Sequence, residues 1–89
     1  MVCIDSRFNH LVPTVHRVGP YRFYFYSGDR HEPPHVHVER GASDAKFWLE
    51  PVGLAGSRGF SGAELRRLER IVVEQAKGFL RARHEHFTD

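Results

Sequence analysis

The sequence predicts an α+β domain: a small antiparallel sheet of three to four strands with one C-terminal helix packed on its apolar face. Three observations predict it. Strand-like segments occupy the first part of the chain and a single helical pattern closes it. Two of those strands alternate apolar and polar residues and pair with a clean sorting of faces. A capping box then marks the start of the helix. At 89 residues the chain makes one domain, able to bury roughly 60–65% of the surface its unfolded form exposes.

Residues 1–12 show weak periodicity and no capping signal, and are expected to form an arm ahead of a domain over 13–89. The segment 15–18 is β-rich and is punctuated by Gly19-Pro20. Residues 21–26 are aromatic and strand-like. Tyr21, Phe23 and Phe25 share one face, and Arg22, Tyr24 and Tyr26 share the other. Gly28-Asp29 signals a turn in a loop that Pro33-Pro34 ends.

Residues 35–40 and 45–50 read as a hairpin around residues 41–44. Setting Arg40 against Ala45 pairs Val38 with Phe47 and Val36 with Leu49 on one face. On the other face Glu39 meets Lys46, His37 meets Trp48 and His35 meets Glu50. A one-residue slip would mix the faces. Pro51 interrupts, and residues 52–57 are expected as a short edge strand.

Ser61-Gly62-Ala63-Glu64 is the capping box, with Phe60 and Leu65 placed for a hydrophobic staple. The helix carries Leu65, Leu68, Val72, Ala76, Phe79 and Phe87 on one stripe. Gly78 is an expected weak point, costing about 1 kcal/mol relative to Ala. Arg66, Arg70, Lys77 and Arg81 lie on another stripe, the pattern of a solvated helix face.

Composition narrows the class. Forty per cent hydrophobic residues, with seven Phe, three Tyr and one Trp, predict a folded chain. Cys3 is the only cysteine, which excludes an internal disulfide and fits a reducing cytoplasm. No secretory signal pattern opens the sequence. No stretch approaches the ~20 apolar residues of a membrane span. Net charge is +2, and protonating all seven histidines would raise it to +9. The charge is therefore sensitive to pH near neutrality. It permits an anionic partner such as RNA without demanding one.

The run PTVHRVGPYRFYFYSGDRHEPPHVHVERG over 13–41 carries a family likeness. So do AKFWLEP over 45–51, and Gly59-Phe60-Ser61 with His84-Glu85 near the end. These motifs resemble the domain-of-unknown-function family DUF4160, with PPHxH as its most specific part. The resemblance implies a small bacterial protein whose gene stands beside a second small gene. It implies the toxin-like position in a pair resembling a toxin–antitoxin module, with the neighbouring gene's product as cognate partner. Relatives often begin near Pro-Thr-Val-His, so residues 1–11 look like an extra and Val12 is a candidate start. Relatives usually carry other residues where this chain has Gly28-Asp29-Arg30-His31, which ranks His31 below His35 and His37.

His35 and His37 stand two apart on a strand, so their side chains leave one face roughly 6.6 Å apart. Pro33-Pro34 stiffens the approach. Three functional readings are open. In the first, His35 and His37 bind no substrate: with Tyr24, Tyr26 and Trp48 they form an aromatic docking face for the cognate protein. In the second they are acid and base of a metal-independent ribonuclease, with His84 as a further catalytic candidate. In the third they bind zinc or another divalent metal, with Glu50 or His84 as third ligand. An ordinary structural role stands beside these, as cross-strand pairs worth roughly 0.2–1 kcal/mol each. Self-association is compatible with the docking reading.

Overall fold

The computed structural model describes residues 14–26 and 31–87. Residues 1–13, 27–30 and 88–89, and the side chains of residues 86 and 87, lie outside that description. The expected arm, the Gly28-Asp29 turn and the Phe87 end of the apolar stripe fall there. The elements are β1 (Thr14–Val18), β2 (Tyr21–Tyr24), β3 (His35–Arg40), β4 (Ser43–Leu49), β5 (Val52–Arg58) and a helix, α1 (Gly62–Phe87). The strands form one antiparallel sheet in the order β1-β2-β3-β4-β5. The α+β architecture is the expected one, with five strands rather than three or four.

Side-chain alternation sorts the sheet into two faces. Tyr21, Phe23, Phe25, Val36, Val38, Ala45, Phe47 and Leu49 are buried on one of them. Leu68, Val72 and Phe79 of α1 join these residues in a single core. Each fully buried Phe, Leu or Val contributes roughly 1.5–3 kcal/mol, so this layer holds the fold together.

The hairpin between β3 and β4 corrects the expected register. Val36 lies opposite Phe47, Val38 opposite Ala45 and Arg40 opposite Ser43. The connection is therefore the two-residue turn Gly41-Ala42, not a four-residue loop. Gly41 has φ of 61°, a left-handed conformation that glycine adopts without a Cβ penalty and that short hairpins require. The shift is two residues, so each side chain keeps its face.

Two features stop the edges. Pairing of β1 with β2 shifts register between Thr14 and His16, and pairing of β4 with β5 shifts between Lys46 and Phe47. Such irregularities twist an edge away from further strand addition. At the end of β5, Gly59 has φ of 92°, and a Cβ there would lie 2.5 Å from Ser43 Oγ.

The capping box forms as expected. The Glu64 amide donates to Ser61 Oγ at 3.1 Å, and the Ser61 amide donates to Glu64 Oε1 at 3.3 Å. Glu64 Oε2 also accepts from the Tyr21 hydroxyl at 3.1 Å and from Arg40 Nη2 at 2.6 Å. One carboxylate thus ties the helix start to β2 and β3. Partial burial pushes this carboxyl up; the Ser61 amide, the Tyr21 hydroxyl and the Arg40 guanidinium outweigh it and hold the group below the ordinary carboxylate range. Gly78 does not break the helix, which runs unbroken from Gly62 to Phe87. Gly78 is exposed while Phe79 beside it is buried, and that packing offsets the poor propensity of glycine.

Candidate functional site

The sheet face opposite the core carries the residues the sequence singled out. Arg22 and Tyr24 come from β2, His35, His37 and Glu39 from β3, and Asp44, Lys46 and Trp48 from β4. Tyr24 is opposite His37, His37 opposite Lys46, and His35 opposite Trp48. The expected His37–Trp48, His35–Glu50 and Glu39–Lys46 pairs are corrected by the shorter turn.

The rings form a connected row. His37 stacks on Tyr24 with centroids 5.2 Å apart and planes at 17°. Tyr26 meets His37 edge-on at 6.4 Å. His35 stands edge-on to His37 at 5.1 Å and to Trp48 at 5.7 Å. A cation closes each end: the Arg22 guanidinium lies 4.6 Å from the Tyr24 centroid, and Lys46 Nζ lies 4.8 Å from that of Trp48. Cation–π contacts at such sites are worth about 0.5–1 kcal/mol.

His35 is the one buried polar residue of the described chain, 3% exposed. Its Nδ1 lies 2.9 Å from the Pro33 carbonyl oxygen. A carbonyl only accepts, so Nδ1 is the donor of this bond. The segment 31–34 is tied down around it. The Leu49 amide donates to the Pro34 carbonyl at 3.0 Å, Lys46 Nζ pairs with Glu32 Oε1 at 2.6 Å, and Arg83 Nη2 of α1 donates to the Glu32 carbonyl at 3.0 Å. The two prolines brace this segment, as the sequence suggests. The part played by Glu32 has no local signal in the sequence, because it depends on the loop folding back over β4.

The remaining candidates lie elsewhere. Glu50 is exposed in the turn between β4 and β5. His84 is exposed on α1, which packs on the opposite face of the sheet. Among the described residues, no three His, Cys, Asp or Glu side chains are arranged to hold a metal ion. Neither Glu50 nor His84 completes a ligand set with His35 and His37. Arg66, Arg70, Lys77 and Arg81 are exposed on α1 and do not border the histidine face.

Charge on the ring face is balanced locally. Arg22 pairs with Glu39 at 2.9 Å, Lys46 with Glu32 at 2.6 Å, and Arg58 with Asp44 at 3.1 Å. Among the described residues, these three cations are matched by carboxylates, while Arg17, opposite Arg22, adds an exposed positive charge to the same face. On β5, Gly53 lies opposite Trp48 and Gly56 opposite Lys46. A Cβ added at either would meet nothing within 4 Å, so the face steps down beside the indole. Among the described residues, no helix is long and apolar enough to cross a membrane.

The sequence model of one family, described as "Domain of unknown function (DUF4160)", matches residues 21–82. The match spans β2 to most of α1 and includes the whole ring row, while His84 falls beyond it. No curated protein and no solved structure matches the chain.

Proposed function

The chain belongs to the DUF4160 family, and from that premise we propose that it is a protein-binding module, the toxin-like component of a two-gene pair. Its ring face docks a small cognate protein encoded by the neighbouring gene. The observation that carries this reading is the row Tyr24–His37–His35–Trp48 framed by ion pairs. Protein interfaces have this anatomy, an aromatic centre within a polar, charge-matched rim. Trp and Tyr are enriched among the anchors that dominate binding energy. The register shifts of both edge strands support a face-on partner over strand addition.

Co-expression with the adjacent gene product tests it. A stable complex is expected, and Trp48→Ala should weaken it by about 2 kcal/mol or more, roughly thirtyfold. A complex that ignores Trp48→Ala overturns the reading.

One observation favours a second reading, acid–base cleavage of RNA. The Pro33 carbonyl accepts from His35 Nδ1 and so orients the ring, as an acceptor on Nδ1 does for catalytic histidines. The 3% exposure of His35 ranks it behind docking, since a base must reach the proton it takes. Cleavage of a mixed RNA pool that disappears in His37→Ala would reverse that order.

A further inference from the structure

We propose that the outer face of α1 binds duplex DNA through its phosphates, on the side of the molecule away from the ring face. None of the ring-face residues takes part, so the docking reading above stands apart from this one.

Arg66, Arg70, Lys77 and Arg81 are all exposed. At 3.6 residues per turn they fall within an arc of about 60°, in a line about 22 Å long. Leu68, Val72 and Phe79 leave the other side of the helix and enter the core. The line of cations is therefore the crest that α1 turns to solvent. On the sheet, Arg22 pairs with Glu39, Arg40 with Glu64, Lys46 with Glu32 and Arg58 with Asp44. The crest differs. Among the described residues, no carboxylate lies within salt-bridge reach of any of its four cations. Glu74 stands four residues after Arg70, the spacing of a helical ion pair, and still makes none with it. Glu69 and Glu74 flank the first half of the crest, one on each side, and reduce its field. Four unpaired cations outnumber them.

A straight row of unpaired cations complements a polyanion whose charges are regularly spaced. Duplex DNA carries one charge per about 1.7 Å of its axis, so the crest spans about 6–7 base pairs. Its major groove, about 12 Å wide, admits an α-helix. The deep, narrow groove of duplex RNA does not. Single strands are held by bases stacked on aromatic side chains. The described crest has none, since Phe79 is buried. A membrane surface takes up the apolar face of a helix, and that of α1 is already in the core.

Fluorescence anisotropy of a labelled duplex of about 20 base pairs, titrated with the full chain, tests the proposal. Binding is expected at about 25 mM salt. Log affinity should fall against log salt with a slope of about −3.6 for four phosphates, roughly a hundredfold between 50 and 200 mM. Arg70→Ala and Lys77→Ala should each flatten the slope by about 1. Glu69→Gln combined with Glu74→Gln should tighten binding, because it removes the two flanking carboxylates. Thermal midpoints should not move, since all four positions are exposed. No binding at that salt up to about 1 mM protein overturns the proposal, as does a slope that neither alanine changes. Single-stranded RNA of the same length, or vesicles of phosphatidylserine, bound more tightly than the duplex would overturn it too. The cognate complex and Trp48→Ala judge the docking reading separately.

Discussion

His37 lies nearly flat on Tyr24, with ring centroids 5.2 Å apart and planes 17° from parallel, directly across the β2–β3 pairing. Stacked cross-strand pairs add about 0.5–1.5 kcal/mol beyond the area they bury. A double-mutant cycle of Tyr24→Ala and His37→Ala, read by urea unfolding, should therefore show coupling of about that size. Additivity within about 0.3–0.5 kcal/mol would mean that the rings merely lie near each other.

The two faces of the sheet should differ in what they do for stability. Phe47 is fully buried in the core, and Phe47→Ala is expected to cost about 3–5 kcal/mol. Trp48, its neighbour on the other face, is half-buried. Trp48→Ala should cost clearly less while doing more harm to binding. Urea midpoints of the two variants decide this; equal losses would make Trp48 a core residue.

Acid should loosen the helix start. The Glu64 carboxyl sits below its ordinary value of 4.5 in the folded chain. Its contribution to stability is therefore complete above about that pH and drains away as pH falls through the lower folded value. The thermal midpoint between pH 6 and pH 3 (about the span in which carboxylates titrate) should fall more steeply for wild type than for Glu64→Gln. Identical slopes would sink this assignment.

Two glycines of one region should respond oppositely to alanine. Gly59→Ala places a Cβ 2.5 Å from Ser43 Oγ at φ of 92° and is expected to lose more than about 1 kcal/mol. Gly56→Ala meets open space and should be neutral or gain about 0.4–1 kcal/mol. Thermal unfolding of both variants checks the contrast, and a loss at Gly56 as large as at Gly59 would refute it.

The faces of the sheet and the start of the helix were legible because each is written in local spacing. Tyr21, Phe23 and Phe25 alternate with Arg22 and Tyr24, and Ser61 and Glu64 sit at capping distance. The register of β3 against β4 was not legible. Val38 has an apolar partner whether it faces Phe47 or Ala45, and a shift of two preserves every face. That shift moved Glu50 away from His35 and put Trp48 there. The burial of His35 depends on Glu32, Pro33 and Pro34 folding back, and on Arg83, 51 residues further on than Glu32. No local pattern encodes that contact. The cations at the ends of the ring row come from the structure, although the spacing that permits them, Arg22 to Tyr24 and Lys46 to Trp48, two apart on one face, lies in the sequence.

Every strand pairs with its neighbour in sequence, and that order has a consequence for how the molecule comes into being. Each hairpin closes over a short span of chain, so the sheet can assemble strand by strand as it is synthesised. Its apolar side has to wait. Phe23, Val36, Val38 and Phe47 belong to the sheet alone, and only Leu68, Val72 and Phe79 of the helix that follows it cover them. A fragment ending near Arg58 would carry the whole sheet and display that surface to water.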